Sequence, residues 1–425
     1  MTHLIRLRSL ALVFVSFVAV CAPNSKVKVN WVGSWAASQQ IPEPSQALPP
    51  ETLRNATLRQ IVHLSAGGNA IRIRLSNTFG TEPLHLLAVH VAHPLSPAGN
   101  RIDPGSDHLV TFNEREDVII TPGAEYTSDP VNYTAPALSD LAVTMQIEAA
   151  PGEQTGHPGS RATSYLASGL PASTPECSPS KPVDHWYFLS GVDVAPPGEG
   201  TSLVVLGDSI TDGHGATTNA NDRWTDALAA RLQNSSATKG ISVLNEGIGG
   251  NRLLANGTGP NALARFDRDV LGQNGVRYLI VLEGINDIGM LTRTAAAAEA
   301  QHEDLVRRLI GAYQQIIARA HAHGIKVIGG TLMPFVGFAY YHPSSTNEFD
   351  RQAVNAWIRL GGHFDAVVDF DKIMTDPAQP SRLQPEYDSG DHLHPSIAGY
   401  RAMADAVPLS YFQPDLTRPA VSVTR

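Results

Sequence analysis

Two kinds of hydrophobic pattern divide this chain. From Trp31 to about Val194, apolar and polar residues alternate in short runs: Leu58 to Leu64, Ala70 to Ser76, Leu84 to Ala92, Asp117 to Ile120, Leu141 to Ile147 and Trp186 to Leu189. Glycine, proline and asparagine clusters separate them, as expected of strands joined by turns. In Ala70-Ile71-Arg72-Ile73-Arg74-Leu75 the period of two puts the aliphatic side chains on one face and the arginines on the other. Several such strands without intervening helices predict an all-β jelly-roll or sandwich domain over residues 23–194.

The period changes after Ala195-Pro196-Pro197-Gly198-Glu199-Gly200, a linker whose prolines and glycines can continue neither a strand ladder nor a helix. Leu203 to Leu206, Ser242 to Glu246, Tyr278 to Glu283, Lys326 to Leu332 and Ala366 to Phe370 then read as five buried strands. Helical spacing fills the intervals. It is clearest from Ala295 to His323, where Leu305, Leu309, Tyr313, Ile316 and Ala320 share a face before Gly324 ends the helix. Shorter helices are predicted at Arg223 to Leu232, Ala262 to Leu271, Asn347 to Leu360 and Ser396 to Val407. Such alternation predicts an α/β domain, residues 201–412, with a parallel sheet between two helical layers and a tail at 413–425.

Composition narrows the function classes. At 425 residues and 42% hydrophobic content, the chain is long for one core, which agrees with two domains. A net charge of -9 without any Lys/Arg run argues against a nucleic-acid partner. Arg6 and Arg8 precede an apolar run from Leu10 to Val20, followed by Val20-Cys21-Ala22, the layout of a signal peptide over residues 1–22. A secreted or periplasmic protein beginning near Pro23 is expected. The run is short of the ~20 residues of a membrane helix, so no stable span is expected, and Val20 disfavours lipidation at Cys21. Once Cys21 is removed, Cys177 has no intramolecular disulfide partner; its Ser/Pro-rich surroundings, Ser173 to Pro182, suggest a surface loop rather than a thiol nucleophile. His85, His90 and His93 cannot all share one face of a strand, which disfavours a metal site there.

The candidate chemistry lies at strand ends. Gly207-Asp208-Ser209 follows the first strand of the second half, making Ser209 the candidate nucleophile. A serine hydroxyl needs a base and a group that orients the base. Asp391-His392-Leu393-His394-Pro395 offers His394 as base with Asp391 as its orienter, and His392 competes for the role. Asp391 and the histidines could instead merely cap the helix starting near Ser396. The glycine-rich loop Asn245 to Asn251 can turn the Gly250 amide toward an oxyanion, and Asn286 of Gly284-Ile285-Asn286-Asp287 adds a neutral side-chain donor. Gly247-Ile248-Gly249 begins like a dinucleotide fingerprint, but Arg252 stands where the third glycine belongs, so no nucleotide cofactor is expected. No G-x-S-x-G elbow occurs, so a different serine-hydrolase layout is required.

Together these four blocks resemble those of the SGNH/GDSL hydrolases. The resemblance spans Thr201 to Val407 and implies a flavodoxin-like αβα fold with five parallel strands. It also implies Ser209, Asp391 and His394 as triad, and the Ser209 amide, Gly250 and Asn286 as oxyanion hole, with no metal or cofactor. Asp208 and Asp287 are then structural neighbours. The opening Trp31-Val32-Gly33-Ser34-Trp35-Ala36 and Asp388 to Pro395 resemble a secreted acylhydrolase branch that includes arylesterases and xylan-associated acetylesterases. Ile210 stands where Gly-Asp-Ser-Leu members carry leucine, a conservative change. The expectation is a serine esterase removing short acyl groups, acetyl in particular, from small esters or acetylated polysaccharide. Alternatives are a lipase or thioesterase, an arylesterase on longer or aryl esters, and a non-catalytic carbohydrate-binding or adhesion protein.

Overall fold

A computed structural model describes residues 29–413. The expected leader with Cys21, and the expected tail apart from Gln413, lie outside them. After residue 200 comes a sheet of β1 (Thr201–Gly207), β2 (Ile241–Gly247), β3 (Val276–Leu282), β4 (Lys326–Gly330) and β5 (Ala366–Val368). Its order is β2-β1-β3-β4-β5, parallel throughout. Leu203 to Leu206 are fully buried, because helices cover both faces of the sheet. This flavodoxin-like order reverses direction between β1 and β3, and the crevice at such a reversal is where open α/β sheets bind ligands.

The helices are α1 (Ser209–Asp212), α2 (Trp224–Gln233), α3 (Ala262–Phe266), α4 (Ile285–Thr292), α5 (Glu299–Ala322), α6 (Ser345–Arg359), α7 (Phe370–Met374) and α8 (Ile397–Ala406). Leu309, Tyr313, Ile316 and Ala320 form the buried stripe of α5, as their spacing predicts. This helix starts four residues later than its alanine run suggests, where the Gln301 side chain accepts from the Ala298 N–H at 2.9 Å. The predicted helix at 262–271 loosens after Phe266 into a wider π turn through Leu271.

The β-rich part is built mainly from two antiparallel sheets, beside a short antiparallel pair of Gly156–His157 with Trp186–Tyr187. One has the order Val32–Ala36, Leu189–Val194, Gly68–Ser76, Glu125–Thr127, with Val131–Ala135 also pairing Gly68–Ser76. The other is built around Ala56–Leu64, Ser139–Ala149 and Leu84–Ala92. Ile71, Ile73 and Leu75 point into a core shared by both sheets, separate from the core of the parallel sheet. The arginine face beside them is covered rather than solvated. Arg74 is buried and donates to Gln273 across the boundary, while Arg72 stacks 4.0 Å from the Trp31 ring.

Three sequence expectations are corrected. The predicted strand from Trp186 to Leu189 is two strands, Trp186–Tyr187 and Leu189–Val194, because Phe188 takes a φ of 59° and turns the chain between sheets. Cys177 is fully buried rather than on a loop surface; its N–H donates to the Asn100 carbonyl, and burial pushes its thiol pKa up. The strand Val32–Ala36 was missed: its five residues are all buried, so polarity does not alternate, and Gly33 lies against Leu244 of β2.

Candidate active site

The loop ends of β1, β2 and β3 and the segment before α8 converge on one cleft of about 380 Å³. Ser209 is the first residue of α1, directly after β1. Asp208 caps that turn, its carboxylate accepting from the Ile210 N–H at 2.9 Å. Ser209 Oγ lies 2.8 Å from His394 Nε2, and His394 Nδ1 lies 2.6 Å from Asp391 Oδ2. The other Asp391 oxygen accepts from the N–H groups of Leu393 and His394, at 2.9 and 2.8 Å. Burial alone would raise the Asp391 pKa, but the bonds from the His394 ring and amide hold this carboxyl well below the usual range. It is therefore an anion whenever the imidazole beside it needs orienting.

The two histidines of this loop are cleanly separated. His392 takes a φ of 71° and bonds Asp388 through Nδ1 at 2.7 Å, whereas His394 faces Ser209. Capping is also separate from this work: the α8 cap is Ser396, which accepts from Gly399 N–H at 3.1 Å.

The two residues expected as oxyanion donors, Gly250 and Asn286, line the same cleft as Ser209 and His394. Gly250 follows β2 with a φ of 73°, a conformation that favours glycine, and among the described residues its N–H has no backbone acceptor. Asn286, in the first turn of α4, is held at both ends of its amide. The Tyr341 hydroxyl donates to Oδ1 at 2.7 Å, and Nδ2 donates to the Asn251 carbonyl at 2.8 Å. One Nδ2 hydrogen therefore remains for the cleft. Arg265, wholly buried, supports this wall by donating to the Asn251 side chain (3.1 Å), the Glu246 carbonyl (2.6 Å) and the Gly207 carbonyl (3.0 Å). Asp287 accepts from the N–H groups of Leu253 and Leu254 at 2.8 and 3.0 Å, fixing the loop after Gly250. Burial pushes Asp208 up to about 7 and Asp287 up to about 6.

Sequence reasoning missed Tyr341, Arg265 and His214. The first two carry no local signal, since an arginine in a polar helix reads as a solvated face. His214 follows Ser209 by five residues and could have been noticed; its ring lies 3.9 Å from that of His394, centroid to centroid. Burial, then repulsion by His394, lowers its pKa to about 4, so it is neutral beside His394. His214, Asp391 and His394 come close enough together to suggest metal ligation, but Asp391 and Ser209 already engage both nitrogens of His394. His90, one of the histidines set aside as metal ligands, bonds Asp107 at 2.8 Å.

Residues 205–402 match the GDSL-like Lipase/Acylhydrolase family. No curated protein matches the chain. Similar solved structures include a GDSL-like lipase from Bacteroides thetaiotaomicron VPI-5482, 21% identical, covering 48% of this chain and 85% of that one with a TM-score of 0.36. An acetylxylan esterase from Geobacillus stearothermophilus is 21% identical and covers 49% of this chain and 93% of its own, with a TM-score of 0.35. Likenesses of that strength carry no argument about substrate. The family match falls on the segment that supplies Ser209, Gly250, Asn286, Asp391 and His394: residues 205–402 are a GDSL-like lipase/acylhydrolase domain, and the protein is a carboxylic ester hydrolase.

Proposed function

We propose that this protein is a secreted serine esterase that removes short acyl groups, acetyl above all, from carbohydrate esters. The observation that carries the mechanism is the unbroken chain Ser209 Oγ, His394, Asp391, opening on the cleft that Gly250 and Asn286 also line. His394 Nε2 takes the hydroxyl proton as Ser209 Oγ attacks the ester carbonyl. The oxyanion is held by the N–H groups of Ser209 and Gly250 and by Asn286 Nδ2. The protonated His394 gives its proton to the departing alcohol, leaving an acyl-serine. Water, deprotonated by the same nitrogen, then releases the acid and restores the serine.

A short acyl group and a sugar alcohol are supported by the cleft walls. Met290, Phe338 and Leu393 offer apolar surface close to Ser209 but no long groove, and Tyr340 stands half exposed at the rim with Arg293 4.2 Å from its ring. A flat exposed aromatic suits the C–H face of a sugar ring. Secretion rests on the basic and apolar pattern of residues 1–22. We further read residues 23–194 as a β-sandwich domain of jelly-roll type, joined by 195–200 to a catalytic domain at 201–412. Acetate release from acetylated xylan, beside hydrolysis of aryl acetate and longer aryl esters, tests the proposal. Wild type should release acetate from the polymer and Ser209→Ala should not; wild-type turnover of aryl or longer esters alone would discard the carbohydrate substrate, and an active pure Ser209→Ala would discard the nucleophile.

A further inference from the structure

Among the described residues, the β-rich part contributes none to the cleft, whose lining runs from Ser209 to His394. It nevertheless reaches the back of the helix that carries Ser209. We propose that His157, in the strand Gly156–His157, is a positioning residue for Ser209 and acts through Asp212; the inference rests on the serine-esterase reading of the site.

Helix α1 is a single turn of four residues. Nucleating a helical turn is unfavourable, so so short a piece takes its orientation from tertiary contacts. Besides the Ser209–His394 bond, the catalytic part supplies two side-chain bonds to backbone carbonyls of the helix. Asn245 Nδ2 donates to the Thr211 carbonyl at 2.6 Å, and Arg223 Nε donates to the Asp212 carbonyl at 3.3 Å. The β-rich part supplies a side-chain contact of its own, His157 Nε2 to Asp212 Oδ1 at 2.9 Å, with both side chains about 95% buried.

His157 is itself rigidly held. Its Nδ1 lies 2.8 Å from the Ser38 carbonyl, which can only accept, so Nδ1 carries a hydrogen; the ring stacks on Trp186 at 5.8 Å. With Nδ1 donating, Nε2 can bond a carboxylate only through a proton shared by the pair. Gly159 completes the grip, since a Cβ there would lie 2.0 Å from Asp212 Oδ2. Asp212 in turn follows Ser209 by three residues, and its N–H donates to the Asp208 carbonyl at 2.8 Å. A shift at Asp212 is thus a shift of the nucleophile. Misplacing a reacting atom by about 1 Å costs on the order of 100-fold in rate.

The test compares the full-length wild type with His157→Ala, Asp212→Ala, the double variant and Asp212→Asn. Readouts are kcat and KM on an aryl acetate, the rate of fluorophosphonate labelling of Ser209, and the melting temperature. His157→Ala and Asp212→Ala should each lower kcat and labelling by roughly 10- to 100-fold with KM within about threefold. The double variant should be no worse than Asp212→Ala, because His157 acts only through that residue. In Asp212→Asn the amide can donate to a neutral Nε2, so most of kcat should return. If His157→Ala does not fold, Asp212→Ala carries the test, for it keeps the Ser38 bond and the Trp186 stack. Folded Ala variants with kcat within twofold of wild type, additive losses in the double variant, or an Asn variant as damaged as the Ala variant would each overturn the inference. A wild type that neither turns over the ester nor is labelled would instead overturn the esterase reading, a different outcome from a fully active His157→Ala.

Discussion

Tyr341→Phe should cost far less than Asn286→Ala, although both touch the same proposed oxyanion donor. The Tyr341 hydroxyl donates to Asn286 Oδ1 at 2.7 Å, with both side chains buried. Without it the amide keeps its orientation, because a flip would set Oδ1 against the Asn251 carbonyl, which now accepts from Nδ2 at 2.8 Å. What is lost is one neutral hydrogen bond, worth about 1 kcal/mol net. If all of it appears in the transition state, kcat falls about fivefold. Asn286→Ala removes the donor itself, for which a loss of roughly 100- to 1000-fold, about 3 to 4 kcal/mol, is expected. Steady-state kcat and KM on an aryl acetate, with melting curves as a folding check, measure both, and KM should move little. A Tyr341→Phe loss as large as that of Asn286→Ala would refute the argument, since the hydroxyl would then have to act on the reacting atoms. An Asn286→Ala enzyme within threefold of wild type would remove Asn286 from the oxyanion hole.

Two further outcomes are expected. His394→Ala should abolish measurable turnover while His392→Ala stays within about threefold in kcat, because His392 is tied to Asp388 at 2.7 Å; comparable losses in the two variants would contradict the assignment of the base. Burial raises Asp208 to about 7, so between about pH 4 and pH 7 the folded chain holds a proton that the unfolded chain releases. The stability linked to this group is full below pH 4 and is lost as pH rises through 7, with a ceiling of about 4 kcal/mol. Asp208→Asn, which keeps an acceptor for the Ile210 N–H, should therefore melt higher than wild type at pH 8, with the gap closing toward pH 4. A gap independent of pH would show that Asp208 is not held neutral by burial.

Much of the scaffold was legible because its cause is local. Runs such as Leu203 to Leu206 and the α5 stripe state burial through periodicity alone, so the five parallel strands and the long helix follow from hydrophobic pattern. The short motifs Gly207 to Ser209, Gly284 to Asp287 and Asp391 to His394 stand at strand ends and before a helix, and the chain itself says which residue types sit there. Less was legible where burial did not alternate. The strand Val32–Ala36 is covered on every side, and Phe188 switches sheets through a backbone conformation that nothing in its neighbours announces.

Within the site, the sequence by itself determined the kinds of groups present: a hydroxyl after one strand, an amide after another, and an Asp-x-x-His loop. It named His394 as base with His392 as competitor, and the fold is what separates the two, turning the His392 ring toward Asp388 and the His394 ring toward Ser209. The sequence could not find Tyr341, Arg265 or His157, whose partners lie 55, 58 and 55 residues away along the chain. Those contacts exist only once the sheet order places β1 between β2 and β3 and the β-rich part lies against the back of α1. Periodicity reports which face of an element is buried, but which side chain meets it is decided by packing between distant elements.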